Sequence, residues 1–419
     1  MKTFTPELLR LADHLLPGDH IVLSEAAGEP QTLAELLVAQ RAELSRPRLF
    51  FGIGASRTFQ PEHADHLDFT GTGGAMTYRP LIQAGVMSVI SQHFSDLPRL
   101  LRSGQLRCDV VMIQLSAPNE RGEYSYGLSC DYLRAAMSQA RLVIAEINDQ
   151  LPQTPCAHPV LAQDIDVAIL TSRPPIESPT AVAGELEQRI AHRLAELIPH
   201  RATLQMGLGA LPEALCSALS GHRDLGIHSG MLGDGFVDLV ERGVVTNAYK
   251  EVDAGISVVG VLIGTQKLYR HVHRHPALLM HDADITHGAA SLSRFKRFHS
   301  VNSALEVDLT GQVNAEAIGK EYPGTIGGQV DFVRAAVQSE GGRSMIALPS
   351  RTKHSSRIVA QLNGPVTTPR SDVDAIVTEH GVAHLRGLSL SARARALISI
   401  ADPAYRDLLT QQAGEAGLL

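Results

Sequence analysis

Tryptophan is absent from this 419-residue sequence, and Phe, Tyr and Trp together make up only 4% of it. A binding site built on stacked aromatic rings is therefore not expected. Cysteine is scarce. Cys108, Cys130, Cys156 and Cys216 are scattered, with no CxxC pair. That excludes a disulfide framework and a cysteine zinc site, and points to a reduced, cytoplasmic protein whose cysteines are mostly core residues. No apolar run approaches the roughly 20 residues of a membrane span. The N-terminal stretch MKTFTPELLRLADHL has the pattern of an amphipathic helix, not of a signal peptide. Basic excess is missing as well: 37 Lys+Arg against 44 Asp+Glu give a net charge of −7. Nucleic acid and anionic membranes are thus unexpected partners, and an anionic substrate would need a local cationic site.

What is present is an ordinary globular composition, 44% apolar and 19% charged. The length favours two domains. Segments 20–24, 49–52, 86–90, 108–115, 142–147 and 167–170 read as strands. Helical patterns at 4–16, 32–43, 98–103 and 132–139 lie among them. Such alternation indicates an α/β domain with a largely parallel sheet. The proline-rich SRPPIESPT is the natural linker, at about 172–181. It separates an expected first domain, 1–175, from a second, 182–419. The second opens with an amphipathic helix at 182–197. Strand candidates follow at 203–206, 256–263, 278–280, 307–309, 345–348, 358–362 and 375–377, and a helix at 389–398 closes the chain. The fold class is α/β: two open, mostly parallel sheets with helices. Ligands of such sheets bind at the carboxyl ends of the strands.

The most informative stretch is 205–247, QMGLGALPEALCSALSGHRDLGIHSGMLGDGFVDLVERGVVTN. It reads as strand, Gly207-Leu208-Gly209 turn, helix, second strand and a glycine-rich loop presenting His228, Ser229 and Gly230, then a second helix. A glycine turn at a helix start gathers backbone N–H groups where an anion or an oxyanion can sit.

Several blocks carry a family resemblance: AAGEP, DVVMIQLSAPNERGEYSYGLSCDY, GLGALPEAL, LGIHSGMLGDGFVDLVERGVVTN, VNSALEVDLTGQVNAE, GTIGGQVDFVRAA and DAIVTEHGVAHLRG. They resemble, in order and over nearly the whole chain, the acetyl-CoA hydrolase / 4-hydroxybutyrate CoA-transferase family. The resemblance implies two similar CoA-transferase-type α/β domains with an active site in the cleft between them. It also implies a homodimer or higher homo-oligomer, with acyl-CoA and a free carboxylic acid as partners. Coenzyme A enters as a substrate, and no metal is implied. In that family a glutamate attacks the thioester, and CoA passes through a glutamyl–CoA intermediate.

One departure lies at the centre. Where the family reads like IHTEMF, with the nucleophile after His-Thr, this chain has His228-Ser229-Gly230. Three readings follow. Another carboxylate acts, with Glu25 the candidate, because SEAAGEP stands where the family often has GHAAGEP; alternatively Glu25 is a solvated turn residue. Or water hydrolyses the thioester in the space left at Gly230, with His228 as base. Or the chain binds CoA esters without turnover. By the same resemblance Asn302, Gly327, Gly328 and Gln329 are CoA or oxyanion contacts; a buried structural Asn and a tight glycine turn are the alternatives. Gly207 and Gly209 serve close approach, and Glu213 caps a helix. Lys353, in the basic loop with Arg351 and Arg357, is the candidate for the CoA phosphates, with Lys250 and Lys267 as further options. Arg79 is a candidate partner for a second substrate carboxylate. The histidines at 271, 273 and 275 form no known ligand motif, and Gly71–Gly74 is too short for a dinucleotide fingerprint.

Overall fold

The computed structural model describes residues 1–179 and 182–419; the last two positions of the expected linker, 180 and 181, lie outside the described residues. The chain divides into two compact units. The first comprises Met1–Pro179 with Val258–Thr286 and Tyr322–Thr325. The second comprises Thr180–Ser257, His287–Glu321 and Ile326–Leu419.

In the first unit a parallel sheet runs in the order Lys2–Phe4, Val167–Thr171, Leu142–Asn148, Val110–Ser116, His20–Leu23, Arg48–Phe51, Asp68–Gly71, Met87–Val89. The central strands VVMIQLS and LVIAEIN are buried along their whole length, as a sheet covered on both faces requires. Their polar members fall toward the carboxyl ends and are all engaged. Gln114 Nε2 donates to Glu29 O at 2.8 Å, and Asn148 Nδ2 donates to Gln114 Oε1 at 2.9 Å. Glu146 accepts from Thr32 N and Thr32 Oγ1, both at 2.8 Å, and from Leu33 N at 3.2 Å. It thereby supplies an anion to the start of helix Gln31–Gln40, whose own N-cap residue, Pro30, provides no side-chain cap.

Residues 4–16 are not the expected helix. Lys2–Phe4 pairs as an edge strand with Val167–Ile169, and two short 3-10 turns follow, Pro6–Leu8 and Leu11–Asp13. The cause is tertiary. Gln40 accepts from Leu11 N and donates to Leu9 O, both at 2.8 Å, so backbone groups that a helix would pair internally are satisfied from outside.

The second unit repeats the architecture. Its strands run Gly226–Leu232, Thr203–Met206, Phe298–Ser303, Arg343–Ala347 and Ala375–Thr378 in parallel, with Gly381–His384 added antiparallel. Helix Glu185–Leu197 opens the unit, burying Ile190, Ala191, Leu194 and Ala195 as one stripe. Among the elements that escaped the sequence pattern are strands Phe298–Ser303 and Gly381–His384 and helices Gln329–Gln338 and Arg406–Glu415. Another was misread. His228, Ser229 and Gly230 are not on a loop but inside strand Gly226–Leu232, and all three are buried.

Candidate functional site

In the first sheet the chain steps outward from His20–Leu23 to Arg48–Phe51, Asp68–Gly71 and Met87–Val89. It then returns to the other side of His20–Leu23 with Val110–Ser116. Such a reversal of strand order is where open α/β sheets take their ligands. Glu25 stands there, two residues beyond the end of His20–Leu23.

The backbone fixes Glu25 locally. Ala26 has a left-handed φ of +53°. Its N–H donates to Ile53 O, and Ile53 N donates back to Glu25 Oε2, each at 2.7 Å. Glu25 is 1% exposed, so it is no solvated turn residue. Tyr132 backs it: the phenol donates to Leu23 O at 3.0 Å and accepts from Gly52 N at 3.1 Å. Burial raises the Glu25 pKa, opposed by hydrogen bonds from Asp131 and from Ile53 N–H. The second glutamate of the motif is buried too. Glu29 accepts from Ser56 Oγ at 2.5 Å and Ser56 N at 3.3 Å, and burial pushes its pKa up to about 7.

Gly71–Gly74 serves packing. Gly73 bridges to Thr325, and a Cβ on Gly74 would lie 2.2 Å from Tyr322 O. Arg79 starts helix Arg79–Gln83 and is exposed.

The second sheet reverses between Thr203–Met206 and Phe298–Ser303. Gln205 and Asn302, one on each strand, hydrogen-bond side chain to side chain at 3.2 and 3.4 Å. Beyond them lies the Gly207–Gly209 turn. Gly209 has φ +116° and forms the N-cap of helix Ala210–Ala218, and open space surrounds both glycines. A left-handed N-cap without a side chain leaves the first helical N–H groups facing that space. Glu213 caps a helix other than its own, accepting from Gly235 N at 3.1 Å.

The buried strand at 228–230 is tightly packed. The His228 ring lies 4.7 Å from that of Phe295, and Ser229 Oγ donates to Met206 O at 3.1 Å. Gly230 is covered by His287. A Cβ built on Gly230 would lie 2.6 Å from His287 Nε2, and one built on Gly328 would lie 2.3 Å from His287 Cδ2. The imidazole is thus seated on two glycines, with the Phe332 ring 4.7 Å away. Burial, then the neighbouring His228, lowers its pKa to about 3, so the ring is neutral. This corrects one expectation: Gly230 does not leave room for a hydrolytic water, because His287 fills that space.

The remaining candidates divide by environment. Gly327 has φ +55° and Gly328 is the N-cap of helix Gln329–Gln338. Gln329 is buried and donates to Thr368 Oγ1 at 2.9 Å, which makes it an anchor of that helix. Lys353 is exposed in a separate turn. Its neighbour Arg351 pairs with Asp402 at 3.2 Å, and Arg357 turns inward toward Ala304 O at 3.4 Å. Lys250 is no phosphate ligand. It is buried and donates to Ile227 O at 2.9 Å and Ile256 O at 2.6 Å. Among the described residues no group of three or more His, Cys, Asp or Glu is arranged to hold a metal ion. Among the described residues no helix is long and apolar enough to cross a membrane.

Sequence reasoning passed over His287, Asp131 and Gln205 as site residues. Asp131 lay inside the quoted GLSCDY block and Gln205 opened the quoted stretch 205–247; His287 acts through a contact distant in sequence.

Comparison with known proteins points to one family. Residues 5–209 match the acetyl-CoA hydrolase/transferase N-terminal domain, and residues 264–413 match the acetyl-CoA hydrolase/transferase C-terminal domain. A 4-hydroxybutyrate coenzyme A transferase of Clostridium kluyveri is 36% identical, over 94% of this chain and 93% of its own. A succinyl-CoA:acetate/propanoyl-CoA:succinate CoA transferase of Fasciola hepatica is 38% identical, over 82% of this chain and 72% of its own. Among solved structures, RipA from Yersinia pestis superimposes with a TM-score of 0.94 at 34% identity, covering 100% of this chain and 98% of that one.

Proposed function

This chain belongs to the acetyl-CoA hydrolase/transferase family, and on that premise we propose that it is an acyl-CoA:carboxylate CoA-transferase acting on a short-chain or dicarboxylic acyl group. The near full-length likeness to named CoA-transferases carries the reading. We assign the reacting carboxylate to Glu25. Strand position 230 offers none, and Glu25 is held at the reversal point of a parallel sheet, where ligands of this architecture bind.

The chemistry is two-stage acyl transfer. A Glu25 oxygen attacks the acyl-CoA carbonyl carbon, the C–S bond breaks and CoA leaves as thiolate. The thiolate then attacks Glu25 Cδ and expels the acyl carboxylate, leaving CoA on the enzyme as a thioester. An acceptor carboxylate reverses the sequence. With 1% exposure, Glu25 has to turn away from Ile53 N–H to reach a thioester. We assign the open Gly207–Gly209 turn, Asn302, Gly327 and Gly328 to contacts with the CoA thioester, and Lys353 to its phosphates. Gln329 then acts by fixing the helix behind Gly327 and Gly328.

Thioester hydrolysis is the second reading. It needs no enzyme carboxylate, and the family to which the chain belongs is named for hydrolases as well as transferases. One experiment separates the two. The protein is incubated with acetyl-CoA and succinate, and succinyl-CoA formation is followed beside free thiol release. Transfer predicts succinyl-CoA with little net thiol. Steady thiol release without exchange selects hydrolysis.

A further inference from the structure

The two glutamates of SEAAGEP grip one neighbouring segment at two points. Strands His20–Leu23 and Arg48–Phe51 run parallel and side by side, so residues 24–29 and 52–58 leave the same sheet edge as adjacent chains. Segment 52–58 lies outside the helices and strands. At the near point Ile53 N donates to Glu25 Oε2 and Ala26 N donates to Ile53 O, each at 2.7 Å. At the far point Ser56 donates to Glu29 twice, from Oγ at 2.5 Å and from N at 3.3 Å. The same hydroxyl oxygen accepts from Thr58 N at 3.1 Å, which closes the turn beyond it.

The two grips differ in kind. Glu29 uses both carboxylate oxygens, and its backbone is pinned as well. Its N–H donates to Ala26 O at 3.1 Å, its carbonyl accepts from Gln114 Nε2 at 2.8 Å, and helix Gln31–Gln40 starts two residues on. Glu29 therefore cannot leave Ser56 without disturbing a central strand and a helix start. Glu25 takes one backbone N–H on one oxygen. Its side chain can turn away while the bond from Ala26 N to Ile53 O stays closed. The fit is close: a Cβ on Gly52 would lie 1.6 Å from Glu25 Oε2, so a displaced segment would collide with the carboxylate.

We infer that Ser56 and Glu29 are positioning residues for Glu25: they hold segment 52–58 in place while the Glu25 side chain leaves Ile53 N–H to react and then returns to it. That role rests on Glu25 as the reacting carboxylate. With the far grip closed, Ile53 N–H keeps one position, and Glu25 moves without dragging the segment along.

Hydrogen exchange of the intact protein, read by peptide mass spectrometry over 52–58, compares the grips without turnover. Ser56→Ala should exchange there about tenfold faster than wild type, whereas Glu25→Ala, which keeps the far grip, should stay within about twofold. No acceleration in Ser56→Ala, or an equal one in Glu25→Ala, overturns Ser56 and Glu29 as the anchor. CoA transfer supplies the second arm. Ser56→Ala should lower kcat roughly tenfold with KM within about twofold. Glu29→Gln, which keeps one acceptor oxygen for Ser56, should retain more of kcat than Glu29→Ala. A raised KM at unchanged kcat, or equal losses in the Gln and Ala variants, contradicts the positioning role. A wild type without CoA transfer removes the Glu25 reading and the positioning role with it, while the exchange comparison still decides whether the far grip anchors the segment.

Discussion

Gly230 and His287 act as one unit at the scale of single residues. The imidazole occupies the volume where any side chain at 230 would begin. Gly230→Ala should therefore force the ring off its seat between Gly230 and Gly328 and cost about 1–3 kcal/mol, as overpacking of a full core does. Adding His287→Ala should recover part of that loss, so that the double variant is more stable than the two single costs predict. Urea unfolding of the four proteins measures this, and strict additivity would show that the ring does not press on Gly230. His287 also gives stability a pH dependence. Its folded pKa of about 3 lies below the ordinary 6.5, so the unfolded chain binds the extra proton between those values. The native state loses roughly 1.4 kcal/mol per pH unit from this residue as the pH falls through that window. Glu29 acts oppositely. Its folded pKa of about 7 lies above 4.5, so its contribution is complete below pH 4.5 and is lost as the pH rises toward 7. His287→Gln should flatten the acid limb without altering the Glu29 limb, as equilibrium unfolding at stepped pH would record.

At the scale of elements, the helix of the AAGEP segment illustrates what a local pattern carries and what it omits. Gln31–Gln40 was expected from its apolar spacing, but its cap was not, because Glu146 comes from a distant strand. Glu146→Ala strands Thr32 N and Leu33 N without their acceptor and should cost about 1–3 kcal/mol in chemical denaturation; a loss below the error of the fit would mean that water replaces the cap. The misreading of 4–16 has the same physical origin. Its amphipathic spacing is real, but pairing with Val167–Ile169 and the two hydrogen bonds from Gln40 outweigh a marginal helix bounded by Pro6 and Pro17. Strand Gly226–Leu232 was hidden by its glycines, which read as a loop. In the fold, Gly226 and Gly230 mark where Lys250 and His287 press against the strand.

For the whole molecule, the fold class and the family were legible because they are written in blocks spread over the chain: glycine turns after strands, buried apolar runs and their order. The identity of the reacting group was not. The absence of a nucleophile at Gly230 is visible in the sequence, but the replacement depends on contacts between distant residues, Glu25 with Ile53 and Gly230 with His287. Charge is a second property of the whole chain. With a net charge of −7, CoA phosphates require a local cation. Lys353 is exposed, whereas Arg351 is paired with Asp402. Lys353→Glu should weaken CoA binding and reduce its salt dependence while leaving stability unchanged, as titration calorimetry at two ionic strengths would show; unaltered affinity would remove Lys353 from the phosphate site.

The assignment of the reacting carboxylate to Glu25 is tested most directly by peptide mass spectrometry after the protein is incubated with acyl-CoA and no acceptor. The predicted result is a CoA mass increment on the peptide containing Glu25, absent from Glu25→Gln and discharged when a free carboxylic acid is added. A CoA adduct on any other residue, or CoA exchange that proceeds undiminished in Glu25→Gln, would contradict it.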